Sequence, residues 1–380
     1  MAISLFCGQS SYPRTDSATA NRYQALAEMT ASLGYEVIFV NRHPVLRVNE
    51  PELPQPEFRT INVSGLRRES SWLKRQLVRL ASVPREFIRI IKLKSSGSIA
   101  FVNIYSQFSL DLVFYYFVAK LVRAQCVLHV VECRSSFMNR SPILRLNDLV
   151  FEFFAPRLFV KFVAISTLIK NSIVVVNSGA KVVVIPPVCK FDRIAKIPRI
   201  NRDRPYFLYC ASLAYEDVAW FVIEAFLSAG VPNVDLILVL NGDPSDRIRN
   251  ACEMNDAIGL FSQLDYDKLI GFYKGAHALL IPLRNIHQDI ARYPQKITEY
   301  LASGRPIISC GIGEVGRHFT HGTDALLTDK YDVVEYAGMM KFSLMDSSDI
   351  ESIAHKGLCL GAKLFDARAQ VKNLQSLLKC

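Results

Sequence analysis

No run of eighteen apolar residues occurs anywhere in the chain, so nothing in it reads as a membrane-spanning helix. The nearest approach, residues 99–122, is broken by Asn103, Gln107, Asp111 and Lys120. The opening Met-Ala-Ile-Ser-Leu-Phe-Cys has neither a basic start nor a long apolar core, and reads as a first buried strand rather than a signal peptide. Nine cysteines are scattered without a Cys-x-x-Cys pair, which argues against a disulfide framework or a structural zinc site and for a cytoplasmic chain. No Asp-x-Asp pair stands in a strand-end loop, so no bound metal is expected. No nucleic-acid-binding motif is present either. The aromatics lie inside apolar runs rather than among the charges, so nucleic acid is not an expected partner.

Of 380 residues, 50% are hydrophobic and 21% charged, which suits a globular chain of two ordinary domains. The net charge of +10 is uneven. Residues 1–200 carry 27 Lys and Arg against 13 Asp and Glu, while residues 201–380 carry 18 against 22. An excess confined to one half points to an anionic partner there. It is concentrated in residues 67–94, with nine basic and two acidic residues. Trp72, Leu73, Leu77 and Leu80 are spaced as one helical face, and Phe87, Ile88 and Ile91 as a second face after Pro84. A basic amphipathic helix carrying tryptophan is the composition of an interfacial membrane anchor, with Trp72, Lys74, Arg75 and Arg79 as its contacts. The alternative is a solvated basic face over an ordinary core stripe.

The most informative stretch is Tyr293–Cys310. Ile297, Tyr300 and Leu301 form one apolar helical stripe, with Pro294 in the first turn. Gly304 and Pro306 stop the helix, and Ile307-Ile308 start a buried strand leading into Gly311-Ile-Gly-Glu-Val-Gly316. Lys296 and Glu299 are i, i+3 neighbours. A helix N-terminus, a lysine, a carboxylate and a glycine loop suit a nucleoside diphosphate. The amides and ammonium take phosphate, the carboxylate takes ribose hydroxyls, and glycine admits close approach.

The run Lys296-x-x-Glu-Tyr-Leu-Ala-x-Gly-x-Pro-Ile-Ile308 closely resembles the donor-sugar signature of GT-B glycosyltransferases of the family 4 type. Other segments agree with that resemblance in order. A strand at Ile3–Cys7, a polar loop, a helix at about 19–33, Gly34 and a strand at Tyr35–Val40 match the family opening, with Asp16-Ser17-Ala18 where paired glycines usually stand. Further strands at Ile99–Tyr105 and Cys126–Val131 flank a helix at Ser109–Val122. Phe162–Ser166 and Lys181–Asp192 match two more family segments, and Leu264–Leu283 another. The resemblance covers nearly all of residues 205–330 and, more loosely, most of 1–200.

It implies an α/β GT-B architecture of two Rossmann-like domains facing a cleft. Residues 1–195 would bind the acceptor, 196–205 link, 206–364 bind the nucleotide sugar, and 365–380 form a helix crossing back to the first domain. Donor contacts would be Lys296, Glu299, Arg292, Arg284, Gly313 and Glu314, the last being otherwise a solvated loop carboxylate. Acceptor contacts would be Asp16, Ser17, Arg22, His129 and Arg134. Asp16 or Ser17 serves equally as a plain helix cap, and His129 reads also as a core histidine. The catalytic candidates would be Lys296 and Glu132, the latter just past a strand's carboxyl end and otherwise an exposed strand-end group. Two departures stand out. Ala291 occupies the place of an earlier family glutamate, with Asp289 two residues upstream, and the loop Leu213–Asp217 lacks the usual cations. The branch with Pro-x-Lys-x-x-Glu-Tyr and no earlier glutamate fits best.

The implied activity is transfer of a sugar, with retention, from a nucleotide-diphosphate donor to a lipid-linked saccharide in surface polysaccharide or glycan assembly. The enzyme would need no cofactor and would work peripherally at the inner face of the membrane. The alternative is a catalytically inactive docking subunit of such an assembly complex.

Overall fold

The computed structural model describes residues 1–8, 12–13, 18–46, 56–69, 71–137, 140–262, 264–345 and 347–379, with backbone alone at 18–20, 72, 76, 79, 136 and 347. The chain divides into two compact units, residues 1–186 with 370–380 and residues 187–369.

The first unit runs β1 (Ile3–Gly8), α1 (Ala18–Ser32), β2 (Glu36–Asn41), β3 (Arg59–Asn62), α2 (Trp72–Ser96), β4 (Ile99–Tyr105), α3 (Ser109–Val122), β5 (Gln125–Val130), α4 (Pro142–Leu158), β6 (Lys161–Ala164), α5 (Thr167–Val176) and β7 (Lys181–Val184). Its seven strands pair in parallel in the order β3-β2-β1-β4-β5-β6-β7. Every residue of β1 is buried, as a central strand covered on both faces requires. Right-handed crossovers put α1 on one face and α2–α5 on the other. Consistent with this, α3 packs between α2 and α4, and α4 packs on α5.

The sequence divides residues 67–94 at Pro84, but α2 continues through it as one 25-residue helix. Ser82, Glu86, Ile90 and Leu93 are all buried, a single inward row that bridges the proline and offsets its lost hydrogen bond. Glu86 receives Arg42 Nε, and Tyr115 Oη donates to its other oxygen at 2.8 Å. Arg42 also pairs with Asp111 of α3. Leu73, Leu77 and Leu80 point outward at 62, 58 and 74% exposure, so this stripe is not part of the core.

The second unit runs α6 (Phe191–Lys196), β8 (Tyr206–Ser212), α7 (Glu216–Ala229), β9 (Asp235–Asn241), α8 (Asp246–Glu253), β10 (Ile258–Phe261), α9 (Tyr266–Gly275), β11 (Ala278–Ile281), α10 (His287–Ala291), α11 (Lys296–Ala302), β12 (Ile307–Cys310), α12 (Gly313–His318), β13 (Leu326–Thr328), α13 (Val333–Ser343) and α14 (Ser347–Phe365). The last helix, α15 (Ala367–Lys379), has residues 370–379 in the first unit. The parallel order β10-β9-β8-β11-β12-β13 is the doubly wound arrangement. The chain's one Asp-x-Asp, Asp265-Tyr266-Asp267, begins with the N-cap of α9.

Helix α11 is anchored from below. Ile297, Tyr300 and Leu301 are buried, Tyr300 Oη accepts the amide of Cys210 at 3.0 Å, and its ring meets Tyr273 edge-on at 4.7 Å. Gly304 ends the helix at φ +71°, as its sequence position suggests.

Candidate functional site

In parallel sheets of this kind, ligands meet the carboxyl ends of the strands where the strand order reverses. In the second unit that point lies between β8 and β11, and a cluster of charges occupies it. Asp289 of α10 is fully buried and accepts the Arg284 amide at 3.0 Å and Arg284 Nε at 2.9 Å. Arg292 Nε pairs with its other oxygen at 3.0 Å. Arg284 Nη1 then reaches Asp217, in the first turn of α7, at 2.6 Å. The Tyr215 ring lies beneath both guanidinium groups, 5.9 Å from Arg284 and 4.2 Å from Arg292. One carboxylate and one aromatic face thus hold two cations that would otherwise repel. Burial opposes the Arg284 charge, but Asp289 and Asp217 outweigh it and hold the guanidinium above its ordinary value.

The loop 213–217 has no cation of its own, yet Arg284 is delivered to it from the end of β11. Sequence reading selected Arg284 and Arg292 but missed Asp289, Asp217 and Tyr215 as their partners. The spacing Arg-x4-Asp-x2-Arg over residues 284–292 carries the Asp289 signal. A contact between Asp217 and Arg284 leaves no trace in local sequence.

Beside this cluster opens a cleft of about 810 Å³, lined by Arg284, Asn285, Ile290, Gly311, Gly313, Lys330 and Tyr331, among others. Gly313 has φ +60°, and a Cβ there would come within 2.9 Å of the Ile290 carbonyl. Glycine at this position lets the start of α12 approach α10. Glu314 next to it is buried rather than solvated, with His318 Nε2 at 3.2 Å and Arg317 Nε at 3.9 Å.

Lys296 and Glu299 sit together on α11, Nζ to Oε2 at 3.3 Å, and neither lines the cleft. The Lys296 ammonium lies 5.8 Å from the Tyr273 ring centre. Burial disfavours its charge, but Glu299 and Cys210 more than compensate, so its pKa is raised and it remains an ammonium at neutral pH. Tyr266, beside Glu299, is pushed up by burial and by that carboxylate.

In the first unit the order reverses between β1 and β4. There Gly8 has φ +99°, and a Cβ would fall 2.3 Å from the Tyr105 carbonyl. His129 on β5 is 3% exposed; Nε2 meets Asn103 Oδ1 at 3.2 Å. Burial, helped by the Arg22 charge, pushes its imidazole down to about 3, so it is neutral. Arg22 is itself buried, donating to the Ile185 and Pro186 carbonyls at 2.6 and 2.5 Å. Burial lowers its pKa to about 10. Glu132 is half-buried and pairs with Arg134 Nε at 3.2 Å. Both line a small hollow with Ser106, His129 and Glu152. Lys74 and Arg75 stand on the first turn of α2, Lys74 exposed and Arg75 half-buried. Asp16 and Ser17 lie outside the described residues, as do the side chains of Trp72 and Arg79.

Residues 204–346 match the family described as "Glycosyl transferases group 1". No curated protein sequence matches the chain. Among solved structures, the chain is similar to sucrose-phosphate synthase from Thermosynechococcus elongatus, at TM-score 0.74 and 16% identity, over 100% of this chain and 98% of that one. It is similar to Anabaena HepE in complex with UDP-glucose, at TM-score 0.70 and 12% identity over 100% of both chains. It also resembles the trehalose 6-phosphate synthase of Burkholderia multivorans, at TM-score 0.64 and 14% identity, over 100% of this chain and 98% of that one. The chain therefore has the GT-B fold along its whole length, and residues 204–346 carry its similarity to the group 1 glycosyltransferases.

Proposed function

We propose that the chain is a glycosyltransferase that takes a nucleotide-diphosphate sugar on its second unit and passes the sugar to a saccharide acceptor on its first. The observation that carries this reading is the pair Arg284 and Arg292, held by Asp289 at the β8/β11 reversal beside the Gly311–Gly313 entry to α12. A diphosphate brings about two negative charges into a site poor in water, and fixed cations are what stabilise it as a leaving group. Asp217 is 62% exposed and releases Arg284 to a stronger anion without burying a lone charge. Gly313 permits close backbone approach; Lys296 and Glu299, paired on α11 outside the cleft, would add a cation and a ribose-accepting carboxylate from the neighbouring helix. No metal or organic cofactor is needed in this scheme. The HepE structures, which hold UDP, UDP-glucose, and UDP with glucose, support the donor class.

The finer reading is a retaining hexosyl transfer to a lipid-linked acceptor in polysaccharide or glycan assembly, at the inner face of a membrane. The acceptor side would be formed around Glu132 and Arg134. If the reaction inverts instead, Glu132 is the general base. The basic helix α2 supports a peripheral membrane position, with Lys74 and Arg75 turned to anionic lipid.

A docking subunit without turnover is the second reading. Ala291, buried where the family resemblance leads one to expect a glutamate, favours it. The two separate in one assay. Purified protein is incubated with a panel of nucleotide sugars and lipid-linked saccharide extracts, and nucleoside diphosphate release is followed. The transferase reading requires release that depends on both components. Tight donor binding with no release in any combination establishes the docking reading.

A further inference from the structure

In the outer helix layer of the first unit, α3 and α4 expose apolar stripes where such a layer is normally polar. Helix α3 buries Leu112, Tyr115, Val118 and Val122 inward, yet its outward positions Leu110, Val113, Phe117 and Leu121 are apolar too, at 82, 47, 65 and 53% exposure. Their spacing of three and four residues makes one continuous stripe. A helix that is apolar all round belongs in a core or a lipid phase, not at a water boundary. On α4 the outward residues Leu146, Leu149 and Phe153 repeat the pattern at 63, 51 and 52%. The two helices pack side by side, and α2 flanks α3 with its own exposed Leu77 and Leu80. Contiguous apolar surface on this scale marks an interaction face.

Charge identifies what it meets. Every carboxylate on these three helices is turned into the protein. Glu86 and Asp111 hold Arg42, Asp148 holds Arg140, and Glu152 accepts Ser135. Among the described side chains of α2, α3 and α4 the exposed charges are all positive, including Arg85, Arg89, Lys92, Lys120 and Arg145. Two copies meeting across this face would set like charges opposite one another. An anionic lipid surface accepts both the cations and the apolar stripes. No helix among the described residues is long and apolar enough to cross a bilayer, so the contact is interfacial.

We propose that the outward faces of α3 and α4 insert among the acyl chains of an anionic bilayer, with the surrounding lysines and arginines at headgroup level. This rests on the peripheral-membrane reading above and adds which side chains enter.

The test is co-sedimentation of the whole protein with phosphatidylcholine vesicles, with and without phosphatidylglycerol, at low and high salt. It compares wild type, Leu110→Ser with Phe117→Ser, Arg85→Glu with Arg89→Glu, and Phe117→Trp. Binding should require phosphatidylglycerol, with a fraction that survives high salt, since salt screens only the charge contribution. The double serine variant should bind at least about tenfold more weakly with unchanged melting temperature. Phe117→Trp fluorescence should shift to the blue and be quenched by brominated acyl chains. If phosphatidylglycerol vesicles bind, the glutamate pair abolishes binding, and neither the serine pair nor the fluorescence of Phe117→Trp shows a change, insertion is wrong while surface attachment stands. If no vesicle binds and the protein is a dimer that the serine pair dissociates, both membrane readings fail.

Discussion

The two units share the strand order of a doubly wound sheet but treat charge in opposite ways. The first buries its central charge cluster. Arg22 and the Arg42–Glu86–Asp111 group are enclosed, while cations and apolar residues face outward together on α2, α3 and α4. The second brings its charge to the carboxyl end of the sheet, where Arg284 reaches the exposed Asp217 and an open cleft lies alongside. Buried charges satisfied by protein groups specify a structure. Charges held in place but only partly enclosed are available to a ligand. On the proposed function, the second unit would exchange one anion for another, and the first would keep its ions and present a surface.

Four experiments sharpen or break this contrast. Arg42→Ala should have the largest effect on stability. It leaves Glu86 and Asp111 buried without their cation and should cost about 3–5 kcal/mol in denaturant unfolding. A loss below about 1 kcal/mol would mean that the group is hydrated rather than enclosed.

The next is a pH effect. His129 has a folded pKa of about 3 against an ordinary 6.5. Between those values the unfolded chain takes up a proton that the folded chain refuses, so this group's contribution is complete above 6.5 and declines as pH falls. The slope is at most about 1.4 kcal/mol per pH unit, or about 3 kcal/mol by pH 4.5. His129→Gln should flatten the acid limb of a stability–pH curve; superimposable limbs would show that His129 is protonated in the folded state.

Asp289→Asn removes the charge shared by Arg284 and Arg292. Donor binding should weaken by about 1.5–3 kcal/mol, measured against a control melt without ligand. Unchanged affinity would detach these arginines from the donor. Smallest is Gly313→Ala, which forces a Cβ into a left-handed residue against the Ile290 carbonyl. It should lower stability by about 1–2 kcal/mol. A neutral result would show that α12 shifts freely.

How much of this could be read beforehand depends on range. Helix Ser109–Val122, the βαβ succession and the Gly304 stop follow from local periodicity and turn chemistry, and sequence reading places all three. Periodicity also finds the stripe Leu73–Leu77–Leu80, but it cannot say whether a stripe faces a sheet or the outside. That direction is set by Glu86 reaching Arg42, a residue 44 positions away. The same inward row carries α2 through Pro84, where local rules place a break. In the candidate site, Lys296 with Glu299 is an i, i+3 pair and legible. Arg284 with Asp217 spans 67 positions and is not. The short helix α6 forms in a stretch with no hydrophobic period because Phe191 and Ile194 alone bury against the second unit.

The central claim is that the second unit binds a nucleotide-diphosphate sugar through these cations. Titration calorimetry of wild type, Arg284→Ala and Lys296→Ala against a panel of nucleoside diphosphates and their sugars tests it most directly. One base and its sugar should bind the wild type, and each variant should bind at least about tenfold more weakly. Binding that is indifferent to both substitutions, or no binding across the panel, would contradict the account.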